Sequence, residues 1–199
     1  MSQRRKSIEY EIVKYNPKHY KNRIYLKNEW TCIEDIGHQF EDGILSKDEY
    51  LKTETNYCNA AIQILKQSEC NFVTIDYLRK VSKKIVRLYI RANQTEEDDI
   101  DLTFENLRKI EEGKRYNVEN IDFIIRYALR GLIGVYFLNS KRLVALTIDS
   151  EDFYRRVMTP IEPKILNKIA RSNDLYVDPR DIWSINYCIL FNSVLILIS

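Results

Sequence analysis

Hydrophobic and polar positions change period several times along the chain, and each change marks an element. Residues 8–15 mix β-branched and aromatic side chains and stop at Asn16-Pro17, which predicts a first strand closed by a turn. Ser46 followed three residues later by Glu49 is a capping box, each side chain able to satisfy the other's backbone N–H. The helix it opens carries Tyr50, Tyr57, Cys58, Ala61, Ile62 and Leu65 on one stripe and is expected to run to about Gln67. Segments 72–78 and 86–91 read as strands. In the second, Val86, Leu88 and Ile90 alternate with Arg87, Tyr89 and Arg91, giving one buried and one basic face.

An acidic run at 96–101 follows as an exposed loop, and Thr103 and Asn117 are expected N-caps for helices over 104–112 and 118–130. Gly113 breaks the first, while Ile121, Ile124, Ile125, Ala128 and Leu129 give the second a continuous core stripe. Apolar runs 132–138 and 143–148 flank Asn139-Ser140-Lys141-Arg142 as a hairpin would. Pro163 opens a helix to about Ser172, and 175–178 is a short strand. Strands and helices mix without regular βαβ alternation, so the expected architecture is one α+β domain over residues 1–178, a mixed, mostly antiparallel sheet with packed helices.

Residues 179–199 form an atypical apolar C-terminal tail. From Ile182 onward there is no charge, at the lower edge of a membrane span, but Ser184, Asn186, Asn192 and Ser193 interrupt the run. Three readings stand: a pair of buried strands at 185–191 and 194–198, a membrane tail, or a non-native end. Membrane contact is expected only under the second.

Composition narrows the class without naming a function. The 199 residues are 45% hydrophobic and 12% aromatic, with five Gly and four Pro, which supplies a core and excludes disorder and disulfide scaffolds. Thirty-one basic against 29 acidic residues leaves +2, so bulk charge does not make a nucleic-acid binder. That neutrality hides blocks of net +5, −5, +5, −6 and +4 over residues 1–30, 31–70, 71–95, 96–125 and 126–180. Segregation of this size can steer an oppositely charged partner within a Debye length, about 8 Å at physiological salt. The N-terminus runs Arg4-Arg5-Lys6 into Ile8-Glu9-Tyr10-Glu11 without an apolar signal region, and Cys32, Cys58, Cys70 and Cys188 form no CxxC, so a cytoplasmic, thiol-reduced setting is expected.

Chemistry-bearing patterns are scarce. The five glycines, at 37, 43, 113, 131 and 134, build no phosphate loop, and Gly131 instead eases a helix-to-strand turn. His19 and His38 are the only histidines; His38 lies near Glu34, Asp35 and Glu41 but lacks a nucleophile or a metal-ligand spacing. Carboxylate pairs such as Glu34-Asp35 and Glu111-Glu112 lack calcium-loop spacing and read as solvated faces. Neither a metal site nor a cofactor is expected, and no catalytic residue is assigned.

The segment Tyr25-Leu26-Lys27-Asn28-Glu29-Trp30-Thr31-Cys32-Ile33-Glu34-Asp35-Ile36-Gly37, followed by Phe40, Asp42-Gly43 and Glu49-Tyr50-Leu51 through Tyr57, is more specific. It resembles a family of small bacterial immunity proteins encoded with polymorphic and contact-dependent growth inhibition toxins, whose pattern is similar to YxKxEWTSIxDIG and LxxEYLxxExxY. Cys32 stands where that pattern has Ser, and Gly131-Leu132 follows 121–130 where the family continues with Glu. The resemblance covers 8–130 well, 131–178 loosely and 179–199 not at all. It implies a non-catalytic protein that neutralises a cognate toxin domain, for instance a nuclease, by occluding its active site.

Within the motif, Glu29, Trp30, Thr31, Ile33, Asp35, Ile36, Gly37 and Tyr50 are expected to serve folding: Trp30 anchoring a turn, Asp35 capping a short helix, Gly37 taking a positive φ. The toxin-facing surface is expected at the acidic positions Glu41, Asp42, Glu96, Glu97, Asp98, Asp99 and Asp101. The alternatives are a nucleic-acid binder using Arg79, Lys80, Lys83, Lys84, Arg87 and Arg91 with Tyr77 and Tyr89 interleaved, or a protein anchored by its C-terminal tail.

Overall fold

A computed structural model of the chain describes residues 7–87, 100–139, 144–148 and 154–178. The architecture is α+β. Seven strands form one sheet, β1 (Ile8–Val13), β6 (Phe72–Lys80), β7 (Arg115–Asn117), β8 (Ile133–Leu138), β9 (Ala145–Ile148), β10 (Tyr154–Thr159) and β11 (Tyr176–Val177). Their order is β11-β1-β10-β9-β8-β6-β7, with every described pairing antiparallel. Between β1 and the first long helix the chain makes an excursion over residues 17–45, built from two small hairpins, β2 (Tyr20–Lys21) with β3 (Ile24–Tyr25) and β4 (Gln39–Phe40) with β5 (Gly43–Ile44).

Four helices whose full length lies among the described residues pack with the sheet: α1 (Lys47–Gln67), α2 (Ile100–Lys109), α3 (Asp122–Leu129) and α4 (Pro163–Ser172). Ser46 caps α1 as its spacing requires, its Oγ accepting from the Glu49 N–H at 3.1 Å. At the other end Glu69 takes φ +56°, and the Cys70 N–H reaches back to the Leu65 carbonyl at 2.9 Å, a Schellman closure with Glu in the left-handed position. Gly131, φ +70°, closes α3 the same way, with the Leu132 N–H on the Tyr127 carbonyl, and turns the chain directly into β8.

α1 and α3 pack over β1, β9 and β10, where Tyr57, Ala61, Ile64, Ile125 and Leu129 meet Ile12, Leu146, Ile148 and Val157 around a cavity of about 20 Å³. One contiguous core links Tyr10 in β1 to Leu175 beyond α4. It includes the Ile121, Ile124, Ile125, Ala128 and Leu129 stripe in full.

Several boundaries moved. The 8–15 strand ends at Val13, and Thr103 lies inside α2, buried, because the helix begins three residues before it. Asn117 caps a 3₁₀ turn, its Oδ1 accepting from the Glu119 N–H at 2.9 Å, before α3 starts at Asp122. The 86–91 strand is corrected for Val86 and Arg87: residues 83–87 are helical, and residues 88–91 lie outside the described part. Val86 is nevertheless buried, because one inward apolar position per turn serves a helix as well as a strand. The 133–138 and 145–148 hairpin formed in register, Leu138 opposite Ala145, with its tip at 140–143 outside the described residues. The 179–199 tail, with both of its expected strands, also lies outside them, and no helix among the described residues is long and apolar enough to cross a membrane.

Candidate functional site

The excursion at 17–45 gathers most of the motif residues. At its root lies Glu29, a half-buried carboxylate with three partners. Its Oε1 accepts from the Tyr25 hydroxyl at 2.8 Å and lies 3.4 Å from Lys14 Nζ, while Oε2 lies 3.6 Å from Lys27 Nζ. Lys27 continues outward to Asp42 on the β4–β5 turn. Lys14, just past the end of β1, is only 7% exposed at its side chain, and its ammonium sits 4.1 Å from the Trp30 ring centroid and 4.5 Å from that of Tyr15. Burial pushes its pKa down to about 8 and outweighs the opposing pull of Glu29. Burial, followed by the Glu29 charge and hydrogen bond, holds the Tyr25 hydroxyl well above the ordinary tyrosine range.

The other motif residues make contacts within the fold. Trp30 is buried, its ring centroid 5.7 Å from that of Tyr50 in α1, and Ile33 and Leu45 enter the same core. Asp35 closes the turn from its far end: its Oδ2 accepts from the Thr31 N–H at 2.6 Å, the Cys32 N–H at 3.2 Å and the Thr31 hydroxyl at 3.3 Å. Burial alone would raise the Asp35 carboxyl, but these donors together hold it below the usual value. Ile36 packs half-buried against the core, and Gly37 takes φ +88° while its N–H reaches the Leu45 carbonyl at 2.9 Å.

Among the mostly polar side chains that the excursion exposes, three aliphatics stand out. β3 alternates, so Tyr25 turns inward against Tyr15 and Tyr20 while Ile24 and Leu26 turn out, 62% and 61% exposed. In the second hairpin Leu45 turns in and Ile44 out, 62% exposed. The two hairpins are joined where Asn28 meets Glu41: the Glu41 N–H donates to the Asn28 carbonyl at 3.2 Å, and the Asn28 N–H donates to Glu41 Oε1 at 2.7 Å. Scattered exposed aliphatics are ordinary; three above 60% on two short joined hairpins are not.

Of the acidic positions, Glu41 and Asp42 are exposed on the β4–β5 turn, but each also holds the excursion together, through Asn28 and Lys27. Asp101 falls in α2, and Glu96, Glu97, Asp98 and Asp99 lie outside the described residues. His38 is 68% exposed and 3.8 Å from Asp35, and His19 is exposed. Burial pushes the Cys58 thiol up to about 12, and burial with Glu34 does the same for Cys32. Among the described residues, no group of His, Cys, Asp and Glu could hold a metal ion. The basic positions divide between two elements: Arg79 and Lys80 end β6, whereas Lys83, Lys84 and Arg87 lie on the helical residues beyond it, Lys83 5.0 Å over Phe104. Arg91 and Tyr89 lie outside the described part.

A second charged cluster lies in the core and has no counterpart in the sequence reading. Glu54 in α1 is fully buried and receives Arg130 Nε at 2.7 Å, Arg130 Nη2 at 3.1 Å and Arg126 Nη1 at 2.8 Å, fastening α1 to α3. Its sequence signal was faint: a Glu on the buried stripe between Tyr50 and Tyr57, with two arginines four apart on a second helix. Compared with known proteins, the chain matches no family model, no curated protein and no solved structure.

Proposed function

We propose that this is a non-catalytic immunity protein that binds a cognate toxin domain in the cytoplasm and blocks its active site, using the outward face of residues 17–45. The observation that carries this reading is that Ile24, Leu26 and Ile44 are each more than 60% exposed on two joined hairpins that also expose Glu41 and Asp42. An aliphatic centre with a charged rim is how protein interfaces are built. The charged rim sets association rate and partner choice, and the buried centre sets the lifetime of the complex.

The test is co-expression with the toxin domain encoded beside the gene. Wild-type protein is expected to restore growth and to form a one-to-one complex whose association slows with added salt. Leu26→Glu or Ile44→Glu is expected to abolish rescue while leaving the fold intact. Failure of the wild-type protein to rescue growth overturns the reading.

A further inference from the structure

We propose that Lys14 is a latch linked to protons at alkaline pH: the excursion at 17–45 closes over its amine, and opening returns that amine to water, where above neutrality it takes up a proton. The geometry is that of a lysine closed in on all sides. Its own strand supplies Tyr15, while the excursion supplies the Trp30 ring, the Glu29 carboxylate and, behind it, the Tyr25 hydroxyl. Lys27 adds a second positive charge across Glu29 and disfavours the proton, whereas Glu49 at the start of α1 favours it weakly. Asp42 acts only through Lys27. An ion that water solvates well is thus held against two ring faces and a carboxylate that it shares with Lys27.

The consequence has a definite sign. In the closed excursion the pKa is lowered to about 8, while an opened, hydrated Lys14 returns to the ordinary 10.5. Below pH 8 both forms carry the proton and the latch is insensitive to pH. Between 8 and 10.5 only the open form binds it, so closure strengthens as pH rises. Glu29 partly opposes this by retaining the proton, and removing its charge moves the window toward neutrality.

Two measurements on the free, full-length protein test the latch without reference to any partner. The first follows the Lys14 ε-carbon resonance in ¹³C-lysine-labelled protein against pH, with Lys14→Arg identifying the signal. A midpoint near 8 is expected in the wild type, and a lower one in Glu29→Gln. The second is a short subtilisin pulse at pH 7.5 to 9.5, normalised to an unstructured peptide of the same sequence, with cuts inside 17–45 mapped by mass. Local opening free energy governs such cuts when closing outpaces cleavage. Wild-type cleavage is expected to fall roughly 20-fold across that range, while Lys14→Met and Lys14→Arg, which do not titrate there, stay flat. A midpoint near 10.5, or wild-type cleavage that does not fall, overturns the proposal. A flat subtilisin profile together with intact growth rescue removes the latch and leaves the toxin-binding reading standing.

Discussion

Two clusters in this protein have the same charge arithmetic, one carboxylate against two cations, and opposite chemical character. In the core, Glu54 lies between Arg126 and Arg130, with the Arg130 guanidinium bidentate on its carboxylate. At the root of the excursion, Glu29 lies between Lys14 and Lys27, at 3.4 and 3.6 Å. Arginine keeps its proton at any accessible pH and matches a carboxylate with a planar fork, so the core cluster is a permanent staple. Lysine is a point charge that surrenders its proton when buried, so the second cluster is a fastening whose strength can change. The fold thus uses its fixed ion network where two helices must stay together, and its titratable one where a surface-bearing segment joins the sheet.

Glu54→Gln tests the first half of that contrast and should have the largest effect. It removes the buried charge that both guanidinium groups share, leaving Arg126 with the more distant Asp122 at 3.8 Å, and breaking a buried pair from one side costs about 3–5 kcal/mol. Urea unfolding at pH 7 should show this loss, nearly independent of salt. A loss under about 1 kcal/mol would mean that the core cluster is no more than a surface pair in effect.

The pH dependence of the difference between wild type and Lys14→Met tests the second half. The folded pKa of Lys14 is lowered to about 8, so unfolding takes up a proton above that pH, and stability attributable to Lys14 rises through the window up to 10.5. Relative to Lys14→Met, wild type should gain on the order of 2 kcal/mol between pH 7.5 and 9.5 and nothing between pH 5 and 7. Taking the difference removes other titrating groups, including Tyr25, whose raised pKa acts in the opposite direction at higher pH. The difference measured by chemical denaturation at each pH should be flat only if Lys14 is hydrated in the folded state.

These two clusters also show where the sequence was legible. Period and caps revealed α1, the α3 stripe and the β8–β9 hairpin, because each depends on neighbours within one turn or one strand pair. Within the motif, Trp30 is buried against Tyr50 and Gly37 takes a positive φ, while Asp35 lies at the far end of the 33–35 turn and bonds back to Thr31 and Cys32. What periodicity could not show was which charges meet. Glu54 and Arg130 are 76 residues apart, and only tertiary packing brings α1 against α3. The 83–87 segment failed for a related reason, since Val86 fits the inward position of either a strand or a helix. The exposed aliphatics have a weaker signal than the acidic runs, although 24–26 is apolar on both faces of its strand and so could not be wholly buried in a two-stranded hairpin.

A smaller effect should follow Glu29→Gln. The Tyr25 hydroxyl can still donate to the amide oxygen, and Lys27, which also loses Glu29, keeps Asp42, so the loss falls mainly on the Lys14 pair. The expected cost at pH 7 is about 1–2 kcal/mol, well below that of Glu54→Gln. Parity between the two substitutions, compared by urea midpoints in one buffer, would erase the distinction between staple and latch.

Smallest of all on stability should be Leu26→Glu and Ile44→Glu, which alter outward positions more than 60% exposed and should shift unfolding by no more than about 0.5 kcal/mol. That near-silence gives the substitutions their value. A side chain that contributes little to the folded monomer, yet whose replacement by a charge abolishes toxin rescue, acts in a contact outside the monomer, where burying an uncompensated carboxylate is costly. The urea midpoint and the growth assay therefore have to be read on the same two variants. Loss of both together would place Leu26 and Ile44 in the packing of the excursion and move the partner surface elsewhere; loss of growth rescue alone would place the partner on the outward face of the two hairpins.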